Sequence, residues 1–154
     1  MKRSPLLHPL ALAALALLVL NDHVLKARFP GLVTGKLSDL AGMVLAPLFV
    51  LAIADALAPA SLARRRAYAT ASAWACVLFV ACAFTLTKTW TPAAHFYETV
   101  MGLARTPFRW IGAWTLGRPL WTEHVVLVRD PTDLVALPFG LLAVWIARPR
   151  PQAA

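Results

Sequence analysis

The polarity pattern divides the chain into four apolar runs bounded by charge, proline and glycine. They cover residues 6–24, 40–57, 67–86 and 131–147. A helix needs about 20 apolar residues to cross a bilayer, and about 17 is the lower limit. The run at 67–86 is the cleanest. The first and last are marginal and must borrow flanking residues. Pro47 and Pro138 fall inside runs, a position tolerated where neighbouring helices re-satisfy the freed carbonyls. The pattern predicts four membrane helices.

Residues 88–130 break the pattern, and a structureless loop of that length is uncommon in a compact domain. Thr91–Pro92 reads as a helix start, with threonine as cap and proline in the first turn. Glu98, Gly102, Arg105 and Arg109 then recur at helical spacing as a polar stripe, while Phe96, Val100, Leu103 and Trp110 occupy the other faces. This is the pattern of an amphipathic helix lying in the membrane interface. Thr106–Pro107 predicts a break into two pieces. Trp90, Trp110, Trp114 and Trp121 suit a belt at headgroup level. The rival reading makes residues 96–116 a fifth span, at the cost of placing Glu98, Arg105 and Arg109 in lipid. Residues 124–128 read as a short extended segment. The expected fold is therefore an all-α membrane protein: four transmembrane helices, with an interfacial helical excursion between the third and fourth.

Composition strengthens this reading. The 154 residues are 60% hydrophobic and 14% charged, and the mean hydropathy is +0.67. A soluble domain carries about 25% charged residues. The net charge of +8 also raises nucleic acid as a partner. No nucleic-acid motif accompanies it, so the expected partners are the bilayer, anionic lipid headgroups or another membrane protein, and not nucleic acid. Cys76 and Cys82 lie six apart in one run and read as core or lipid-facing thiols, with no CxxC motif.

Basic residues set the orientation. Lys2 and Arg3 precede the first run, Arg64, Arg65 and Arg66 separate the second from the third, and Arg148 and Arg150 follow the fourth. With four helices all three clusters share one side, which the positive-inside rule makes cytoplasmic. Both termini are then expected inside. Residues 1–20 have the outline of a signal peptide. The run ends Leu18–Val19–Leu20–Asn21, without the small residues of a cleavage site, so an uncleaved first helix is expected.

The candidate chemistry gathers at the predicted outer helix ends. "NDHVLK" closes the first helix, with Asp22 and Lys26 as an i,i+4 pair and His23 as a ligand, base or interface residue. "TGKLSDLAG" opens the second, with Thr34 or Ser38 as cap and Asp39 in the first turn. Lys36 opposes the helix dipole there, so capping does not explain it. It is not a P-loop, because the GxxxxGK[ST] spacing is absent. "DPTD" opens the last helix, with Asp130 as cap and Asp133 in the first turn. Asp22, His23 and Asp39 are the catalytic candidates. Lys26, Lys36, Lys88, Asp130 and Asp133 are the binding candidates. His95 and Glu98, three apart on a helix, form a weak metal-ligand pair. Asp55 is expected to pair with the arginines at 64–66. No cofactor is indicated, and GxSxG, HExxH and SxxK are absent.

"NDHVLK", "PGLVTGKLSDLAG" followed by "APLF", and "DPTDLVALP" resemble blocks of a family of small, uncharacterised bacterial polytopic inner-membrane proteins. They cover about a quarter of the chain, and "TGKLSDLAG" is the most distinctive. The resemblance implies a bacterial inner-membrane location and supplies no activity. The expected function is a binding, transport-assisting or scaffold role at the outer polar cluster. An enzyme acting on a lipid-linked or envelope substrate is the alternative, and an ion-conducting module is a third reading.

Overall fold

The computed structural model describes residues 4–59, 61, 66–117 and 125–148. Lys2, Arg3, Arg64, Arg65, Trp121, His124 and Arg150, used above for orientation and for the excursion, lie outside them. Among the described residues all regular structure is helical. The chain divides into two compact units, Met1–Ala83 with Asp133–Ala154, and Phe84–Thr132.

In the first unit, a single 3₁₀ turn at Pro5–Leu7 leads into α1, Pro9–Arg28. His8 caps α1, its Nδ1 accepting the Leu10 amide at 3.2 Å, and Pro9 occupies the first turn, where its missing N–H costs nothing. Alanine and leucine, both strong helix formers, carry the helix to Leu20. At Asn21–Leu25 it widens into a π turn, and the Lys26 amide bonds Asn21 O, five residues back. The last turn is Lys26–Arg28. Phe29 then leaves helical geometry at φ −134°, as a residue before proline does.

The second helix, α2, runs Leu32–Leu57, eight residues earlier at its start than the apolar run at 40–57. Thr34 explains the early start. Its Oγ1 accepts the Gly31 amide at 3.2 Å and lies 3.0 Å from both Phe29 O and Gly31 O, closing the first turn. Lys36, Ser38 and Asp39 therefore sit inside the helix. Ser38 is no cap and Asp39 is not in the first turn, contrary to the sequence reading. Pro47 is buried inside α2 and cannot donate to Met43 O.

The third helix, α3, is Arg66–Thr89. The last, α5, is Pro131–Ala147, and its first nine residues, Pro131–Phe139, are 3₁₀ rather than α. Ala11 of α1, Val44 and Leu48 of α2, Val77 of α3, and Ala143, Val144 and Ile146 of α5 form the core. Leu51, Ala73 and Cys76 form a second cluster. Gly140 marks the closest approach. A Cβ there would lie 3.1 Å from Val77 Cγ1 and 3.8 Å from Met43 O. That is the carbonyl Pro47 leaves without its usual donor, so the missing side chain lets α5 close on α2 and α3.

In the second unit, α4 spans Thr91–Leu116. Its Pro92 falls in the first turn, and Gly117, left-handed at φ 60°, ends it as a C′ glycine does. The expected break at Thr106–Pro107 does not occur. Pro107 removes one amide, but the turns on either side hold, and Thr106 Oγ1 donates to Gly102 O at 3.0 Å. Residues 125–130 are irregular, and the Leu127 amide and the Arg129 guanidinium are bonded to α4.

Three helices are long and apolar enough to cross a membrane: Pro9–Arg28, Leu32–Leu57 and Ala67–Thr89, of 20, 26 and 23 residues. Their exposed side chains include Leu12, Leu15, Val19, Phe49, Ile53, Leu78 and Phe79, whereas Asn21, Thr34, Lys88 and Asp133 are buried. So much large apolar surface outside, with these polar side chains buried, is unlike a water-soluble surface and suggests a membrane protein.

Candidate functional site

Asn21 anchors a polar hub in the first unit. It sits in the π turn of α1 and is fully buried. Its Nδ2 donates to Thr34 O at 2.6 Å and to Ser38 Oγ at 2.7 Å. Thr34 O can only accept, which fixes the amide's orientation. Thr34 and Ser38 are four apart on α2, so both face the same neighbour. Ser38 Oγ donates to Asp22 Oδ1 at 2.6 Å, and Lys26 Nζ lies 2.7 Å from the same oxygen. A hydrogen-bonded chain thus runs from buried Asn21 through Ser38 and Asp22 to exposed Lys26. Asn21 Oδ1 is itself buried and accepts nothing among the described residues.

Lys36, which capping does not explain, forms an ion pair. Its Nζ lies 2.9 Å from Asp133 Oδ1, joining α2 to α5, with Asp133 the more buried partner. Side chains at the end of α1, the start of α2 and the start of α5 are therefore bonded around the first turns of α2. Asp39, three residues after Lys36, is half-buried beside this hub, and His23 is exposed on the π turn.

The remaining candidates lie in the second unit. Lys88 is buried, donates to Val128 O at 3.4 Å and stands 5.4 Å over the Phe84 ring. Asp130 fills the capping role read from "DPTD". Its Oδ1 accepts the Thr132 amide at 2.9 Å and the Thr132 hydroxyl at 2.7 Å. His95 Nδ1 lies 3.1 Å from Glu98 Oε2, as the i,i+3 spacing predicts. Among the described residues no third histidine, cysteine or acid completes a metal site with them. Glu98 Oε1 instead accepts the Leu127 amide at 2.8 Å. That amide, with His95 and Arg129 nearby, holds the Glu98 carboxyl below the usual carboxylate range.

The charged groups of the hub described above are paired with one another. Asp22 is committed to Ser38 and Lys26, and Asp133 to Lys36, so neither is poised as a base. Ser38 donates straight to a carboxylate, with no imidazole between them to take its proton. Asn21 and Ser38 are the residues that reading the sequence undervalued. Asn21 looked like the end of an apolar run and Ser38 like a cap. The available signal was Thr34 and Ser38 at helical spacing facing a lone asparagine.

No known family, curated protein or solved structure matches the chain.

Proposed function

We propose that the protein is a polytopic bacterial inner-membrane protein with a binding, transport-assisting or scaffold role, exerted at the polar hub on its outer face. The observation that carries this is the mutual pairing of the hub: Lys36 with Asp133, and Asn21 through Ser38 and Asp22 to Lys26. Paired charges tie helix ends together and hold the adjoining exposed surface, around His23 and Arg28, in one shape. They leave little for acid–base work, so the enzyme reading stays the alternative.

Four spans fit this reading. Pro131–Ala147 has only 17 residues, but its nine 3₁₀ residues rise about 2.0 Å each and its eight α residues about 1.5 Å each. Together they reach about 30 Å, the thickness of the hydrocarbon core. The arginine clusters at 64–66 and at 148 and 150 support cytoplasmic termini in this reading. The fourth helix in sequence, α4, has 26 residues but is not among the helices apolar enough to span. Its exposed aromatic residues and its arginines suit the outer interface, with the bilayer and anionic headgroups as partners.

Single-cysteine labelling at Arg28, Ser61, Gly117 and Arg148, in a chain lacking Cys76 and Cys82, tests the topology. Arg28 and Gly117 should label from outside and Ser61 and Arg148 from inside. Labelling of Ser61 and Gly117 from the same side makes α4 a span and sinks the four-helix arrangement. A photo-crosslinker at His23 tests the role. One discrete protein or headgroup adduct supports it. Capture of acyl chains alone reduces the hub to a structural lock and defeats it.

A further inference from the structure

We propose that Arg105 and Arg109 of α4 form a binding site for the phosphodiester headgroups of anionic lipids. The inference rests on the interfacial placement of α4 and its headgroup partners, and goes beyond them by naming the phosphodiester group and the residues that hold it.

The helix is turned inside out. Phe96, Leu103, Trp110, Ile111 and Trp114 lie on its exposed side, and Trp114 is 95% exposed. Ala94, Glu98, Gly102 and Arg109 lie on the covered or half-covered side. A face of this kind in contact with water costs about 25 cal/mol for each Å² of apolar surface, so it calls for an apolar cover. Indole rings concentrate where acyl chains meet headgroups, which sets the depth of Trp110 and Trp114.

Charge identifies what lies beside that cover. Arg105 and Arg109 are one turn apart, so their side chains leave the helix on one side. Among the described residues neither guanidinium has an ion pair or hydrogen bond. The acid on the same stripe, Glu98, is engaged by the Leu127 amide and His95. The described part of this unit carries four cations, Lys88, Arg105, Arg109 and Arg129, against the acids Glu98 and Asp130. Lys88 and Arg129 are bonded to Val128 O and Thr91 Oγ1. The two arginines are therefore the cations of this unit without a partner among the described residues, at the depth where lipid phosphates sit. A planar guanidinium fork matches two phosphate oxygens, and two forks a turn apart can share one headgroup or bridge two. Zwitterionic headgroups offer the same phosphate with a cation attached, so the site should prefer phosphatidylglycerol over phosphatidylcholine.

The test uses the full chain without its native cysteines, reconstituted in nanodiscs, with a fluorophore on Thr106→Cys, an exposed position between the arginines. Quenching by headgroup-spin-labelled phosphatidylglycerol is compared with quenching by the phosphatidylcholine analogue. Each basic residue at an anionic surface contributes about a fivefold preference, so the pair should give on the order of tenfold or more. The preference should vanish in R105Q/R109Q. It should fall only in part in R105K/R109K, which keeps the charge and loses the guanidinium fork, and so separates lost charge from a disturbed helix. Equal quenching by both lipids in the parent chain overturns the headgroup site and leaves the interfacial placement standing. The same preference in the glutamine variant also overturns it. Loss of the preference on adding inorganic phosphate at constant ionic strength assigns the site to free anions and overturns it as a lipid site. No quenching by either lipid removes the interfacial placement, and the site with it.

Discussion

Lys36 Nζ and Asp133 Oδ1 lie 2.9 Å apart, although 97 residues separate them in the chain. The pair joins the second turn of α2 to the first turn of α5, and Asp133 is buried. Neutralising one partner leaves the other charge in a poorly solvated place. Lys36→Met or Asp133→Asn alone should therefore lower stability by about 1–3 kcal/mol, the range for hydrogen bonds to charged groups. Exchanging the charges, Lys36→Asp with Asp133→Lys, should recover much of the loss. Thermal unfolding in detergent reads both. Single variants as stable as the parent would show that the pair is not holding α5 to α2.

Asn21 gives a sharper test, because its environment specifies a donor. Asn21→Ala removes the bonds to Thr34 O and Ser38 Oγ and should cost about 1–3 kcal/mol. Asn21→Asp should be worse at neutral pH, since a buried carboxylate would face the Thr34 carbonyl oxygen. Protonation restores a donor, so the aspartate variant should recover towards the parent as the pH falls. An aspartate variant no less stable than the alanine variant at pH 7 argues against the hub as described.

Glu98 predicts a pH dependence for the second unit. Its carboxyl is held low by the Leu127 amide, so it binds protons less readily folded than unfolded. The stabilisation is fully present above the unfolded carboxylate value of about 4.3 and is lost as pH falls through the lower folded value. The Leu127 amide resonance should follow that titration, and Glu98→Gln should flatten it. An amide shift unchanged by the Gln substitution counts against the bond.

Packing at Gly140 predicts intolerance of size. Alanine at that position would press Val77 Cγ1 at 3.1 Å and must displace it slightly. Leucine has no such remedy and should cost about 1–3 kcal/mol, typical of overpacking. Val77→Ala should relieve the alanine variant at least in part. If leucine at 140 leaves the unfolding temperature unchanged, α5 does not pack closely on α3 there.

The sequence by itself determined the helical class, the membrane-like composition and three of the long apolar helices, because these follow from runs of adjacent residues whose solvation does not depend on what they touch. It also determined the local contacts that helical spacing dictates: Asp22 with Lys26, His95 with Glu98, and Asp130 on its own first turn. Only the tertiary structure decided the rest. The start of α2 at Leu32 depends on Thr34 reaching back to Gly31. The continuity of α4 through Pro107 depends on the turns around one lost amide. Asn21 belongs to the hub because its partners arrive from a second helix, and Lys36 chose Asp133 across 97 residues. A side chain's partner across the bundle is fixed by how helices pack, and packing is the sum of many weak contacts that no short stretch of residues contains.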